Sequence, residues 1–569
     1  MSYLHNDPTR FRDEMIDGFV SVHGSLVRRV DGGVARRHRT PEGQVAVVIG
    51  GGSGHYPAFA GIVGPGLAHA AAMGNVFASP SAQQVLHAAE SVATSAGVLL
   101  TYGNYAGDVL NFDQAEALLQ EKGIPCRSVP ITDDISSAPA HEAHKRRGVA
   151  GDLVVFKVAA WAAEQGRDLD AVAELTQLAN QRTRTLGVAF SGCTLPGAEE
   201  PLFTIPEGHM GIGMGIHGEP GLEDRAIVPA DDIAALLTER VLAEAPDAAG
   251  NRIAVIVNGL GSIKGEELFV LYSSVKRRLD DAGLEVVDPE VGEFVTSFEM
   301  AGVSLTICWL NDELEEAWKA PVYTPAYRKG STNVQGEALA DESARSAADA
   351  ADDAASGASQ QLAAPIARAV AAAASVIDAN VDALGELDAI AGDGDHGIGM
   401  QRGITAASEA AEQASAAGAG AGSTLIAAGD AWADRAGGTS GALWGLALRT
   451  AGESIGNTDV PDGAGVARAV RAAIDAIAKA GGATIGDKTM MDAALPFADA
   501  LDNAAASETI SSAWTKAAAI ARQSAEATAD LLPKLGRARP HQEKSVGHPD
   551  PGAISFAMIV ETIADAIHP

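Results

Sequence analysis

The sequence predicts two domains of different class, an α/β domain followed by an all-α domain, and three observations carry that prediction. Short apolar runs alternate with helical patterns over residues 1–330, residues 331–360 hold almost no large apolar side chain, and residues 361–569 show only helical spacing. In the first domain, residues 45–49, 97–101, 153–156 and 253–257 are continuous and apolar, as strands buried on both faces are. Residues 113–123, rich in Ala, Glu and Leu, suit a helix between two of them, and this alternation means an α/β fold. Residues 331–360, mostly Ala, Asp, Glu, Ser and Gly, bury too little surface to offset their ordering entropy and read as a flexible linker. Beyond it, Leu362, Ile366, Val370, Ile377, Val381 and Leu384 mark one helical face. Ala-rich helical segments follow at 404–415, 424–436, 441–452, 464–480, 489–504 and 508–531, with no convincing strand.

Charge narrows the function. The 569 residues include 41 Lys+Arg against 74 Asp+Glu, a net charge of −33. Such a chain repels phosphate backbones and anionic lipid, so neither a nucleic acid nor a membrane is an expected partner. The densest basic stretch, between Arg28 and Arg39, is short enough to be a solvated helix end and loop. Three cysteines, Cys126, Cys193 and Cys308, are too few and too scattered for a disulfide framework or a Cys-rich zinc site. With no basic segment leading into an apolar run at the start, and no apolar stretch of about 20 residues, a cytoplasmic protein is expected.

Two glycine clusters mark the first domain. Residues 50–57, GGGSGHYP, follow the first strong strand, where glycines let backbone approach a ligand. No Gly-Lys-Ser/Thr follows, so this is not a Walker loop, and it only half matches a dinucleotide fingerprint. A tight loop with a surface histidine is the plainer reading. Residues 211–221 alternate glycine around His217, a costly backbone that makes sense if something must come close to an imidazole able to act as base, ligand or nucleophile. The plainer reading here is a hairpin arm. Asp108, in the string NYAGDVLNF, lies just past a strand, where open α/β sheets bind ligands; alone it would pass for a helix N-cap.

The second domain carries Asp388, Asp393 and Asp395 within eight residues of glycine-loosened chain. Three carboxylates so placed repel one another unless a hard cation sits between them. The spacing fails for an EF-hand and suits Mg²⁺, which takes further oxygens from water and phosphate. A solvated Asp-rich turn is the alternative. Residues 437–441, GGTSG, open a helix with donors for phosphate oxygens, and the turn-rich loops 486–492 and 547–552 could close over a base. Together these features indicate magnesium and a nucleotide.

In order along the chain, the strings GGGSGH, NYAGDVLNF, GIHGEPG, VTSFEMAG, AGDGDHG, GGTSGALWG, GDKTMMDA and GHPDPG resemble the dihydroxyacetone kinase family in its single-chain, ATP-dependent form. The resemblance covers nearly the whole chain. It implies an α/β ketose-binding domain (DhaK-like) followed by an all-α, eight-helix-barrel nucleotide-binding domain (DhaL-like). His217 would bond to the substrate carbonyl carbon as a hemiaminal. Gly52, Ser53, Gly54 and His55 would hold the ketose along with Gly103, Tyr56 and Asp108, and His55 and Asp108 would be the acid/base candidates. Asp388, Asp393 and Asp395 match the family's ligands for two Mg²⁺ ions. Asp393, Gly394, Asp395, His396, Thr439, Ser440, Gly486, Thr489, Met490, Asp550, Pro551 and Gly552 fall where the family binds ATP. The implied activity is phosphorylation of a terminal hydroxyl of a short ketose, by a homodimer, with the linker letting the two sites meet.

The chain departs from the family pattern in ways that bear on the substrate. Tyr56 stands where members usually carry Glu, Gly103 where they carry Lys, and Phe59 where many carry His. Loss of a lysine and a carboxylate changes pocket charge, and Gly103 is expected to leave room for one more carbon, so the predicted substrate is the four-carbon ketose erythrulose, with dihydroxyacetone next. Arg539, Pro540 and His541 replace a usual Ser-Tyr near the nucleotide end. A dinucleotide-dependent oxidoreductase would leave the Asp388 cluster unexplained. A non-catalytic ketose sensor would need no magnesium–ATP site. A cyclase side activity on FAD is left open.

Overall fold

A computed structural model describes residues 4–247, 249–330, 355–391, 394–436, 438–535 and 544–567. The chain divides into two compact units, Met1–Gly336 and Glu337–Pro569. Most of the expected linker, residues 331–354, lies outside the described residues, as do Arg539, Pro540 and His541. The last four residues of that expected linker are not linker: the helix Gly357–Asp378 already runs through them. Ser356 starts it by accepting the Ser359 N–H, and an Ala- and Gln-rich run with high helix propensity carries it on.

The first unit holds two main sheets. One is ordered β1 (Val27–Val30), β2 (Gly33–Arg36), β4 (Ala70–Val76), β3 (Ala46–Ser53), β5 (Val98–Gly103), β6 (Cys126–Ile131). Strands β4, β3, β5 and β6 run parallel, which is why β3 and β5 are buried throughout. The other sheet comprises β7 (Thr183–Ala189), β8 (His209–Ile212), β9 (Glu223–Ala226), β10 (Arg252–Gly259), β11 (Glu285–Val286), β12 (Glu290–Gly292) and β13 (Gly302–Trp309). Its order is β11-β10-β13-β7-β8-β9, with β12 also on β10, and its long pairs are antiparallel.

Three of the four predicted strands are β3, β5 and β10. The fourth, residues 153–156, is instead part of the helix Asp152–Glu164. Every residue from Asp152 to Ala163 is buried, so this helix is apolar all round and has no polar face to reveal its period. It even buries Lys157, whose ammonium donates to the Ala320 carbonyl at 2.5 Å.

The second unit is helical, with no strand among the described residues. Gly357–Asp378, His396–Ala416, Ala421–Ala436, Gly438–Ile455, Gly463–Gly481, Met491–Ala505, Ile510–Ala527 and Pro551–Ala566 each pack on the next, and the last packs back on the first. That closes a ring of eight. The face read as one helix over 362–384 belongs to two, because Val381–Ala389 begins a new helix after Asn380. Glycine sets the closest approach in the ring: a Cβ on Gly422 would lie 2.6 Å from the Gly452 carbonyl oxygen, and one on Gly429 2.7 Å from that of Gly445. By length and composition, one described helix, Gly357–Asp378, could cross a membrane, an exception to the expectation of no such stretch. Here it packs against three helices of its own ring.

Candidate active site

The ketose site predicted in the first unit forms where the GGGSGH loop and the loop after β8 converge. Strand β3 delivers Gly52 to within van der Waals limits of the next segment: a Cβ there would lie 2.8 Å from the Ala78 N. Ser53 is buried and donates to the Gly74 carbonyl at 2.7 Å, which fixes the loop. Gly54, at φ 108°, makes the turn that presents His55. His55 is buried, stacked on Phe77 with centroids 4.9 Å apart, and its Nδ1 donates to the Thr296 carbonyl at 2.7 Å. Burial, aided by nearby His217, pushes the His55 pKa down to about 3, so the ring is neutral on its own.

His217 reaches the same point from the other loop, its Nε2 3.0 Å from His55 Nε2. Its Nδ1 faces Glu219 Oε1 at 3.0 Å. Burial opposes ionisation of Glu219, but the His217 hydrogen bond and the Arg147 charge prevail and hold its pKa down to about 2. The glycines around His217 make room for the chain's own side chains. A Cβ on Gly215 would sit 2.0 Å from Glu219 Oε2, and one on Gly218 2.3 Å from the Phe203 ring. Phe77 and Tyr105 wall the imidazole, with centroids 5.3 and 4.9 Å away.

Asp108 is not the N-cap of its helix. Tyr105 holds that position, and Asp108 lies in the first turn of Ala106–Glu121. Burial raises its pKa to about 6, and its Oδ1 has no hydrogen-bond partner. A carboxyl poised near neutrality and close enough to His217 to feel its charge can move protons.

Two predicted pocket residues have neighbours of their own. Tyr56 turns its ring towards Phe19, 6.2 Å between centroids, and lines a cavity of about 680 Å³ with Gly54, Phe11 and Met15. Gly103 does not open onto empty space: a Cβ there would meet the Tyr105 ring at 3.1 Å, so the room belongs to Tyr105.

In the second unit a cavity of about 490 Å³ collects most of the predicted nucleotide residues: Asp388, Asp395, His396, Ser440, Thr489, Met490, Asp550, Pro551 and Gly552. Asp393 lies outside the described residues, as does the side chain of Thr439. Among the described residues no three metal-binding side chains cluster. Gly394 (φ 78°) and Gly486 (φ 91°) turn the loops that carry their neighbours to the cavity. Asp388 accepts the His396 N–H at 3.3 Å, and His396 Nε2 lies 3.0 Å from the Ser555 hydroxyl. Asp550 caps the helix Pro551–Ala566 by accepting the Ala553 N–H at 2.7 Å. Burial, with Asp492 and Asp388 nearby, raises its pKa to about 7.

Several residues escaped the sequence reading. Glu219 sits inside a quoted motif, two residues from His217, and could have been found there. Asp492 accepts N–H groups of Gly486 (2.5 Å) and Thr489 (2.7 Å), and it too lies within a quoted string. Lys488, at φ 59°, ties the same loop to the carbonyls of Leu531 (3.1 Å) and Ser545 (2.6 Å). Tyr105 lies within the string NYAGDVLNF, three residues before Asp108, whereas Arg147 and Phe77 gave no local signal of a shared site.

Comparison with known proteins gives the family. The Dak1 domain family matches residues 17–326 and the DAK2 domain family residues 390–565. An L-erythrulose kinase of Pectobacterium atrosepticum is 55% identical, the alignment covering 100% of this chain and 97% of that protein. A D-erythrulose kinase of Mycolicibacterium smegmatis is 52% identical over 100% of this chain and 99% of that protein. The crystal structure of the C. freundii dihydroxyacetone kinase with AMP-PNP and Mg²⁺ covers 99% of both chains, with 28% identity and a TM-score of 0.57. The chain belongs to the dihydroxyacetone kinase family.

Proposed function

We propose that this chain is an ATP-dependent kinase that phosphorylates a terminal hydroxyl of a short ketose, erythrulose before dihydroxyacetone. The observation that carries the reading is the 3.0 Å approach of His217 and His55, with the buried Asp108 close enough to feel the His217 charge. An imidazole nitrogen flanked by two groups able to move protons is what capture of a carbonyl carbon requires. Polyols offer no such carbon. The four-carbon preference draws support from full-length relatives at 55% and 52% identity, both erythrulose kinases. That both are kinases also favours catalysis over a non-catalytic ketose sensor.

In the second unit, Asp388 and Asp395 give hard oxygen donors to one cavity, a donor set that fits Mg²⁺. Asp393 completes the proposed ligands for two ions. ATP would lie against His396, Ser440, Thr489, Met490 and the Asp550–Gly552 turn, with Thr439, Gly394 and Gly486 in the adjoining loops. When bound, magnesium and ATP supply the phosphoryl group and neutralise the charge that builds on it. The reading includes a cytoplasmic homodimer, which analytical ultracentrifugation of the full chain and cell fractionation would test.

The deciding assay is ADP release from Mg·ATP with dihydroxyacetone, D-erythrulose, L-erythrulose and glycerol, repeated with His217→Ala. One erythrulose enantiomer should give the highest kcat/KM, and His217→Ala should raise KM and let glycerol compete. A preference for dihydroxyacetone would refute the four-carbon assignment. An unchanged KM in His217→Ala would refute carbonyl capture, and no ketose-dependent ADP release would leave only the sensor.

A further inference from the structure

We propose that Glu219 is a positioning residue for carbonyl capture, holding His217 as the Nδ1–H tautomer and offsetting the positive charge its ring gains on bonding to the ketose. The proposal rests on the ketose-kinase reading above. Its geometry is specific. One carboxylate oxygen of Glu219 accepts the His217 Nδ1–H at 3.0 Å, and the other accepts the His217 backbone N–H, also at 3.0 Å. A single side chain thus orients both the ring and the backbone of the residue two positions before it. Gly215 leaves the space that the second oxygen occupies. Arg147 Nη1 stands 3.7 Å from that oxygen, and Arg147 is itself held by Asp134 at 2.7 Å and by the Gly213 carbonyl at 3.3 Å. Glu219 therefore sits in a braced position.

A proton count gives the carboxylate its purpose. His55 Nδ1 must donate, because its partner is the Thr296 carbonyl, and His217 Nδ1 must donate, because its partner is a carboxylate. Both rings consequently turn Nε2 towards each other, and a 3.0 Å contact between those atoms requires one proton between them. The pair then carries one positive charge and Glu219 one negative charge. Of the other groups facing the pair, Arg147 and Asp134 neutralise each other and Tyr105 is a phenol bonded to the Gly148 carbonyl. Asp108, in the first turn of Ala106–Glu121, adds a second carboxyl that feels the His217 charge from beyond hydrogen-bond distance.

Capture preserves this balance. The shared proton moves to His55 Nε2, which frees the His217 Nε2 lone pair to bond to the carbonyl carbon. The C=O π pair moves to oxygen, and that oxygen takes the proton from His55. His217 is left as an alkylated imidazolium that still carries Nδ1–H, against the Glu219 carboxylate. The site starts and ends with the same net charge, and no other reactant is needed. Without Glu219 the ring could settle in the other tautomer, and the cationic adduct would lose the carboxylate bonded to its Nδ1–H.

The test uses the full chain with Glu219→Gln and Glu219→Asp. Three readouts are the NMR signal of [2-¹³C]dihydroxyacetone, the pH profile of kcat/KM for the ketose, and calorimetric binding of Mg·ATP. Glu219→Gln should abolish the tetrahedral carbon signal seen with the unaltered chain and raise the ketose KM by about 100-fold, the scale of a lost charged hydrogen bond, with Mg·ATP binding unchanged. The alkaline limb of kcat/KM should move to lower pH, because the anion that retains the pair's proton is gone. Glu219→Asp, which keeps the charge one methylene short, should return the limb towards its original position while KM stays raised. A tetrahedral signal retained in Glu219→Gln would overturn the proposal, as would a uniform loss of rate with the limb unmoved. If the unaltered chain phosphorylates ketose but shows no tetrahedral carbon, carbonyl capture itself fails, and that outcome is distinct from failure of the Glu219 role alone.

Discussion

Substituting Gly103 by alanine probes what bounds the ketose pocket. The added Cβ would sit 3.1 and 3.3 Å from two Tyr105 ring carbons and 3.4 Å from the Gly148 carbonyl oxygen, so the ring must yield by a few tenths of an ångström. That ring is anchored by its hydroxyl, 3.0 Å from the same carbonyl, and stands edge-on to His217 at 4.9 Å. Moving off its rotamer costs about 0.5–1.5 kcal/mol. Stretching the hydroxyl's hydrogen bond until it breaks costs a similar amount, roughly 0.5–1.5 kcal/mol. Either way the ring that walls the imidazole is displaced, and about 1–2 kcal/mol taken from transition-state binding lowers kcat/KM by roughly 5- to 30-fold. The loss should be larger for erythrulose than for dihydroxyacetone, because the narrowed space is what the fourth carbon needs. Steady-state kinetics on both ketoses, with thermal unfolding as control, measures this. In the double variant with Tyr105→Phe the two effects should fail to add, since the residues touch. Equal losses on both ketoses, or strict additivity, would refute the idea that Gly103 acts through Tyr105.

Two further outcomes are expected. Asp492→Ala leaves the Gly486 and Thr489 N–H groups without their acceptor, at a cost of about 2–4 kcal/mol for two part-buried donors. Calorimetry should show a lowered unfolding transition for the second unit and weaker Mg·ATP binding, while ketose adduct formation persists. Lys157 is wholly buried, and burial lowers its pKa to about 7. Between that value and the ordinary lysine range the unfolded chain binds the proton that the folded chain has released, so this group's penalty is full below pH 7 and shrinks as pH rises. Lys157→Met should therefore stabilise the first unit more at pH 6 than at pH 9, as read by denaturant unfolding; a pH-independent difference would contradict it.

The parts of the site legible in the sequence were those whose chemistry and backbone lie together. Glycines beside His55 and His217, and the acids from Asp388 to Asp395, announce themselves because a ligand-approaching loop needs its special backbone within a few residues of its functional group. Seven of the eight ring helices were legible as helix; Pro551–Ala566 was not, nor were residues 153–156, because a helix buried on most or all sides shows the same uninterrupted apolar run as a buried strand. Tyr56 follows His55 directly, yet neighbours along an irregular loop rarely face the same way: His55 stacks on Phe77, and the Tyr56 ring turns to the helix Phe11–His23.

Arg147 and Phe77 mark the limit of local reading. Arg147 lies 70 residues from His217 and reaches it only because β7 pairs with β8 and brings Asp134, Gly213 and the His217 loop to one sheet end. The consequence concerns specificity. The residues proposed to perform the chemistry lie within motifs, as does Glu219, which bonds to His217, whereas Arg147 and Phe77, which brace and wall that site, arrive from separate elements. A change of preferred ketose therefore depends less on the recognisable motifs than on the packing behind them, and Gly103 illustrates it. Its missing side chain leaves the space in which the Tyr105 ring rests, and the Gly103→Ala kinetics test whether the substrate feels that change.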